Sequence, residues 1–178
     1  MRYLLFFLLL NNLLASGTSS IYDLDQKWIN HEGKESPIKD LGGKPAVVSM
    51  IFTSCPGACP MVINNMKSFD KELTKVQKSS INYYAFSIDP KRDTPEVLAK
   101  YVAKMDLDSR WTLFTSNADY ARELAVAFGF NYKVLENGDF THSTTIFLLS
   151  EKGEILAKHE PQESWDGFLT KLKEQAKK

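Results

Sequence analysis

The motif CPGACP, residues 55–60, contains the only two cysteines of this 178-residue chain. Cys55 and Cys59 are four positions apart, so on a helical turn their sulfur atoms lie on the same side and can reach each other or a shared ligand. Such a pair suits a structural disulfide, thiol–disulfide exchange or metal binding. Paired cysteines usually form a structural disulfide in an oxidising compartment, whereas in the cytosol they are more often catalytic or metal-binding.

The two cysteines lie at the junction of a predicted strand and a predicted helix. The apolar run AVVSMIF, residues 46–52, precedes them and is typical of a strand buried on both faces. After Pro60, apolar residues recur at helical spacing, at Val62, Met66, Phe69, Leu73 and Val76. The positive end of that helix favours the thiolate, which is only about 3% populated at pH 7 for a thiol with a pKa near 8.5.

A metal site at this turn would need a third ligand, because two thiolates are too few to hold an ion firmly. The chain offers three histidines. His31 lies in the polar stretch NHEG and His159 ends a predicted strand, and we interpret both as solvated residues. His142 precedes the predicted core strand 144–149, where a loop can carry its side chain over the cysteines. From the residues alone, His142 is either a metal ligand or a capping or turn residue.

Strands and helices alternate along the rest of the chain, which predicts an α/β sandwich with helices on both faces of a mostly parallel sheet. Further strands are expected at residues 81–88, 111–114, 144–149 and 154–159. The last two are separated by only four residues, Ser-Glu-Lys-Gly, and are predicted to form an antiparallel hairpin. Residues 21–45 are predicted to form a short hairpin or a loop segment.

Three further helices are expected, around residues 98–105, 121–128 and 165–172. The first is entered through Thr94 and Pro95, with Pro at the favoured first helical position. The second has a pattern resembling a capping box at Ser116 and Asp119, and Gly129 is placed to end it.

The N-terminal twenty residues differ in kind from the rest. A basic residue, an apolar run and then small residues follow one another, which is the order of a secretory signal. An uncleaved membrane anchor is the alternative, but two asparagines interrupt the run and a spanning helix needs about 20 apolar residues. We predict a signal peptide or anchor over residues 1–20, one domain over 21–178, and a location outside the cytoplasm. The protein would be periplasmic, secreted, or anchored in the membrane and facing the periplasm.

The overall composition argues against several function classes. Lys and Arg together number 22, as do Asp and Glu, so no basic surplus suggests nucleic-acid binding. Hydrophobic residues make up 43% and charged residues 25%, which is ordinary for a globular protein. Membrane contact is expected only through the N-terminal segment, if it is not cleaved.

Three blocks of sequence make the chain resemble the SCO/SenC family of thioredoxin-like copper proteins, which assist assembly of the copper site of cytochrome c oxidase. They are FTSCPGACP (52–60), SIDPKRDTPEVLAKY (87–101) and FTHSTTIFLLSEKGEI (140–155). The likeness covers roughly residues 21–175 and implies a thioredoxin-like sandwich. It also implies one copper ion, Cu(I) or Cu(II), held by Cys55, Cys59 and His142. Soft thiolates with an imidazole suit Cu(I), whereas a structural zinc site would want a fourth protein ligand.

The chain departs from many family members between the cysteines, where Gly57 and Ala58 replace bulkier or acidic residues. The turn is therefore smaller and uncharged, so the partner-binding surface of other family members cannot be transferred to this chain. Asp89 and Asp93 match an acidic pair of the family. They are either residues that support the metal ligands or an ordinary turn aspartate and helix cap.

Three methionines near the motif are interpreted as core residues rather than copper ligands because of their strand and helix spacing. They are Met50, Met61 and Met66.

The leading hypothesis is a copper chaperone rather than an enzyme. It would deliver copper to the copper-bearing subunit of cytochrome c oxidase, or maintain the thiols of the copper site there, or deliver copper to another acceptor. It would depend on an outside thiol reductant. The alternative is an extracytoplasmic thiol–disulfide oxidoreductase in which Cys55 attacks and Cys59 resolves the mixed disulfide. A peroxidase of the peroxiredoxin type is a weaker third reading: Thr53 is suitably placed, but no arginine is evident near the turn. A purely structural disulfide is the remaining alternative.

Overall fold

Three parallel strands form the centre of the main sheet in the computed structural model, which describes residues 20–176. They are β3 (Ala46–Ile51), β4 (Asn82–Ser87) and β5 (Trp111–Thr115). Every residue of β3 is buried, as expected for a strand covered on both faces. The strands predicted from the apolar runs at 46–52, 81–88 and 111–114 are therefore confirmed.

Antiparallel hairpins extend this sheet at both edges. At one edge β8 (Ile146–Leu149) pairs with β3 and with β9 (Ile155–His159), which confirms the predicted C-terminal hairpin. At the other edge β1 (Lys27–Asn30) pairs with β2 (Glu35–Pro37) and with β5. The segment 21–45 thus contains a hairpin that belongs to the main sheet, whose strand order is β2-β1-β5-β4-β3-β8-β9.

The helices within residues 20–176 are α1 (Ala58–Lys71), α2 (Lys75–Ser79), α3 (Pro95–Lys104), α4 (Ala118–Phe128) and α5 (Asp166–Gln175). None of them is long and apolar enough to cross a bilayer. The signal peptide or anchor expected over residues 1–20 lies, except for Ser20, outside the described residues.

The helix predicted after Pro60 differs from the observed one at both ends. It begins earlier, at Ala58, and stops at Lys71, so the apolar stripe does not continue to Val76. Val76 lies on α2 and is 79% exposed. The break arises because Thr74 caps a new helix, in a capping box with Gln77.

Helix boundaries elsewhere follow the local signals closely. Thr94 caps α3 and Pro95 is its first residue, as predicted. Gly129 ends α4 with a φ of 66°, a left-handed conformation that glycine adopts without strain. The capping residue of α4 is Asn117, not the predicted Ser116, because the Ser116 hydroxyl instead donates to the carbonyl oxygen of Lys27 on β1.

Aromatic residues join the outer hairpin to the core. Trp28 on β1 is fully buried, and its ring packs edge-on against Phe86 on β4 with centroids 4.9 Å apart. Phe86 in turn stacks on Phe114 of β5 at 5.0 Å. The N-terminal hairpin is therefore packed against two of the three central parallel strands, β4 and β5.

Candidate metal centre

The two cysteines lie where β3 ends and α1 begins, the edge of a parallel sheet at which reactive groups usually gather. The backbone N–H of Phe52 donates to the Sγ atom of Cys59 at 3.3 Å, and the N–H of Cys59 donates to the Sγ atom of Cys55 at 3.4 Å. The N-cap residue is Gly57, which has no side chain to satisfy the N–H groups of the first turn. These groups are therefore directed at sulfur.

The two thiols differ in exposure and acidity. Both are free, with Cys55 half-buried and Cys59 at 0% exposure. Partial burial raises the pKa of Cys55, but backbone N–H groups at the start of α1 donate to its sulfur and bring the pKa below the ordinary value. Burial raises the pKa of Cys59 well above its usual range, and the adjacent Cys55 adds to the rise. The Sγ atom of Cys55 is therefore the more reactive of the two.

His142 faces the inner sulfur. Its Nε2 atom lies 3.5 Å from the Sγ atom of Cys59, and its Nδ1 atom lies 2.6 Å from the carbonyl oxygen of Ser143. A carbonyl oxygen only accepts hydrogen bonds, so Nδ1 carries the proton and the lone pair of Nε2 points toward sulfur. The ring is held between Phe52, edge-on at 5.4 Å, and Phe130, stacked at 6.1 Å.

His142 lies on a strand that was not predicted from the sequence. Its side chain projects from β7 (Phe140–His142), which pairs with β6 (Tyr132–Val134) in a separate two-stranded sheet. The predicted core strand begins later than expected, at Ile146, so His142 does not open it. The pair Asn137-Gly138 between two short apolar segments is a strong hairpin signal and could have revealed this element.

The three predicted ligands converge. The two sulfur atoms and one ring nitrogen of His142 all lie within 4.8 Å of one another. Within residues 20–176 no other group of three or more His, Cys, Asp and Glu side chains is drawn together in this way. Two sulfur donors and one imidazole form the set that soft transition metals such as Cu(I) prefer.

Asp93 supports the cysteine turn from a neighbouring loop. It is fully buried, and its carboxylate accepts hydrogen bonds from the N–H of Thr53 at 3.2 Å, the hydroxyl of Thr53 at 2.5 Å and the hydroxyl of Ser87 at 2.5 Å. Burial raises the pKa of Asp93, while these hydrogen bonds oppose the rise. Of the two readings of this residue, the geometry favours support of the site, since Thr94 caps the helix.

Asp89 plays a different part in the same loop. It is 5% exposed and accepts a hydrogen bond from the guanidinium of Arg92. It therefore anchors Arg92 rather than touching the cysteine turn directly.

The other two histidines do not join the cluster. The Nδ1 atom of His31 accepts a hydrogen bond from the N–H of Leu113 on β5, two strands away from β3 in the sheet, and the residue is half-buried. His159 is only 3% exposed, so its interpretation as a solvated residue is wrong. The C-terminal helix covers it, and its ring packs edge-on against Phe69 at 5.3 Å.

The three methionines divide between core and surface. Met50 and Met66 are fully buried, as predicted. Met61 is 45% exposed, so its assignment to the core is wrong. It lies on the outer side of the first turn of α1, where helical spacing alone does not distinguish inside from outside.

The threonine and arginine that a peroxidase of the peroxiredoxin type would need are not directed at the cysteines. The hydroxyl of Thr53 donates to Asp93, away from the sulfur atoms. An arginine does lie near the turn, contrary to expectation: the guanidinium of Arg92 is 5.9 Å from the ring centroid of Phe52. Its donors, however, bind Asp89, Gly138 and Asp139.

Known proteins resemble this chain in sequence and in fold. The "SCO1 protein homolog" of Bacillus subtilis is 26% identical over 150 residues, which cover 81% of this chain and 77% of that protein. The copper-bound structure of Arabidopsis thaliana ScoI superposes with a TM-score of 0.72 at 20% identity, covering 85% of this chain and 95% of that one.

A second solved structure is that of BsSco, described as having a disulfide switch and as a member of the Sco family of cytochrome c oxidase assembly proteins. It superposes with a TM-score of 0.72 at 24% identity, covering 85% of this chain and 91% of that one. The sequence profile of the SCO1/SenC family matches residues 18–177. The chain therefore belongs to the SCO1/SenC family.

Proposed function

We propose that this protein binds one copper ion through Cys55, Cys59 and His142 and passes it to the copper site of cytochrome c oxidase or to another acceptor. The observation that carries the proposal is the convergence of three suitable ligand atoms within 4.8 Å of one another. The copper bound to Arabidopsis thaliana ScoI and the description of BsSco's family as oxidase assembly proteins support it. Copper is here the cargo of the protein.

The donor set suits a metal that must be released again. Thiolate sulfur is soft and favours Cu(I), and the imidazole also allows Cu(II) to be held. Three protein ligands leave room for a ligand of the acceptor, whereas structural zinc sites are closed by four. Among the described residues no further Cys, His, Asp or Glu atom joins the three.

The unequal burial of the ligands suggests the side from which an acceptor approaches. Cys59 is fully buried, while Cys55 and His142 are half-buried. An incoming thiol or imidazole would therefore reach the ion past Cys55. Gly57 follows Cys55 by two residues. Apart from Gly57 and its two chain neighbours, no heavy atom of residues 20–176 lies within 4 Å of where a Cβ would stand, so this approach is open among the described residues.

The redox state of the cysteines would control loading. Both sulfur atoms are ligands only when reduced, and a disulfide between them would remove two of the three donors. The structure describes both as free thiols. A thiol reductant outside the protein is therefore part of the proposal.

The proposal is tested by titrating the reduced protein with Cu(I) in competition with a chromophoric chelator. We expect one ion per chain, with binding lost or strongly weakened in Cys55→Ser, Cys59→Ser and His142→Ala. His31→Ala is the matched control, since His31 lies beside β5 and is not part of the Cys55, Cys59 and His142 cluster. Unchanged affinity in His142→Ala, or equal losses in both histidine variants, would refute the three-ligand site.

Thiol–disulfide exchange is a second candidate function. It is favoured by the half-buried Cys55, whose pKa is lowered by N–H groups despite partial burial, beside a buried Cys59 that could resolve a mixed disulfide. Cys55 would attack a disulfide of a partner protein, forming a mixed disulfide and releasing one partner thiol. Cys59 would then attack the Sγ atom of Cys55 and release the second partner thiol. The protein would be left with a Cys55–Cys59 disulfide. Slow reduction of model protein disulfides, together with tight copper binding, would make this the lesser role.

We also propose that the protein works outside the cytoplasm, as the order of residues in its first twenty positions indicates. Cell fractionation followed by N-terminal sequencing of the recovered protein tests this. Recovery in the cytoplasmic fraction with Met1 retained would argue against it.

A further inference from the structure

His142 depends on side-chain contacts for its position. The β6–β7 hairpin that carries it forms a sheet of its own and adds no strand to the seven-stranded sheet of residues 27–159. The orientation of His142 relative to the cysteines is therefore set by what holds the hairpin against the rest of the domain. The ring contacts between Phe52 and Phe140, with centroids 5.1 Å apart, form one part of that connection.

Arg92 forms a second part of that connection with its whole guanidinium group, beside the contact of Phe130 with the His142 ring. Its Nη2 atom donates to the carbonyl oxygen of Gly138 at 3.0 Å and its Nη1 atom to Asp139 at 3.3 Å, both in the turn of the hairpin. Its Nε atom donates to Asp89. The planar group also lies over two rings, 5.7 Å from that of Phe140 on the hairpin and 5.9 Å from that of Phe52 beside the cysteine turn.

One loop consequently contacts both the cysteine turn and the β6–β7 hairpin that carries His142. Residues 89–94 connect β4 to α3. Asp93 in this loop binds the cysteine turn through Thr53, and Arg92, anchored by the buried Asp89, binds the hairpin of His142. Since the fork of an arginine fixes direction as well as distance, this arrangement sets the two halves relative to each other.

We propose that Arg92 is a positioning residue for the metal centre: it clamps the β6–β7 hairpin so that Nε2 of His142 faces the sulfur of Cys59. The inference rests on the proposed copper function, because it concerns the third ligand of that site. Loss of the Arg92 hydrogen bonds makes the hairpin more mobile and moves the imidazole of His142 away from the sulfur of Cys59. The two sulfur ligands remain in place.

The clamp is tested first without metal. In Arg92→Gln, amide hydrogen exchange of residues 132–142 in the reduced apoprotein should become faster, while exchange in β3 and β4 stays as in the wild type. Lys27→Gln is the control, because Lys27 forms a surface ion pair with Glu35, 3.5 Å apart, on the hairpin at the far edge of the sheet. Unchanged exchange in residues 132–142 of Arg92→Gln would overturn the inference.

The second arm measures the release of Cu(I) to an excess of chelator. Loss of groups that orient a ligand commonly weakens metal binding about 10–100-fold, and we expect release from Arg92→Gln to be roughly tenfold faster. Arg92→Lys keeps the charge but not the fork, so it should also release faster; full rescue by Lys would contradict the clamp. Asp139→Asn weakens only the contact of Arg92 with the hairpin turn and leaves its hydrogen bond to Asp89 intact. Release of Cu(I) from this variant should also be faster than from the wild type.

A double-mutant comparison separates this inference from the proposed function. In the His142→Ala background, Arg92→Gln should cause no further acceleration, because the ligand through which it acts is absent. An equal additional effect in that background would assign Arg92 a general structural role and overturn the inference. If His142→Ala alone leaves release unchanged, it is the three-ligand site that fails.

Discussion

The Nε2 atom of His142 lies 3.5 Å from the Sγ atom of Cys59, although 83 positions separate the two residues in the chain. The contact is made because β3 delivers the cysteine to one edge of the sheet and a separate hairpin brings the imidazole over the same edge. In the neutral ring, the hydrogen bond that Nδ1 donates to the carbonyl oxygen of Ser143 leaves the free lone pair on Nε2. The sulfur and nitrogen atoms are thus placed to bind the same metal ion.

The opposite acidities of the two thiols predict an order of chemical modification. The pKa of Cys55 is lowered by N–H donors at the start of α1, despite partial burial, whereas burial raises that of Cys59. Iodoacetamide should therefore label Cys55 first, and its rate should level off at a lower pH than that of a free cysteine peptide.

Peptide mapping by mass spectrometry follows this labelling in the native reduced protein. The Cys59→Ser variant, which retains only Cys55, should be labelled at nearly the wild-type initial rate. The Cys55→Ser variant should react only on unfolding. Preferential labelling of Cys59 in the folded protein would show that the two thiols have been assigned the wrong way round.

Asp93→Ala should destabilise the protein and loosen the cysteine turn. Asp93 is fully buried and accepts hydrogen bonds from Thr53 and Ser87. Each buried donor left without a partner costs about 1–3 kcal/mol, so a loss of roughly 2–4 kcal/mol in the free energy of unfolding is expected. Urea denaturation measures it, with Asp25→Ala at an exposed position as the control. Equal midpoints for the two variants would contradict the supporting role of Asp93.

Burial of His159 predicts a loss of stability on acidification. Burial lowers the pKa of this residue, although Glu163 and Glu160 oppose the effect, and its Nδ1 atom has no hydrogen-bond partner within residues 20–176. The folded state therefore binds the proton less readily than the unfolded state. The stability that the neutral ring contributes is present above the unfolded pKa, near 6.5, and is lost as the pH falls from there toward the lower folded value.

His159→Phe should remove this dependence while keeping an aromatic ring beside Phe69. One titrating group changes the free energy of unfolding by at most about 1.4 kcal/mol per pH unit. Urea denaturation between pH 7 and pH 5 should therefore give a smaller decrease for the variant than for the wild type. Identical decreases in the two proteins would argue against the buried neutral histidine.

The sequence predicts best what depends on neighbouring residues. The apolar run 46–52, the cap at Thr94 and the stop at Gly129 each specify local geometry, and each is observed. The position of Cys59 also follows from short-range rules, since the buried strand β3 ends at Ile51 and α1 begins at Ala58, one residue before the cysteine.

Contacts between distant segments were harder to predict. Thr53 and Asp93 are 40 positions apart, and nothing in either segment specifies their hydrogen bond. His159 appeared solvated because its cover comes from α5, where Phe168 packs 6.0 Å from it. His142 was identified through the resemblance rather than from its own surroundings, as the hairpin around Asn137-Gly138 was not recognised.

X-ray absorption spectroscopy of the Cu(I)-loaded reduced protein tests the central claim most directly, because it counts the atoms bound to the metal. The proposed site predicts two sulfur atoms and one nitrogen atom in the wild type, and loss of the nitrogen in His142→Ala. Copper bound by sulfur alone in the wild type, or a His142→Ala spectrum identical to that of the wild type, would contradict the three-ligand site.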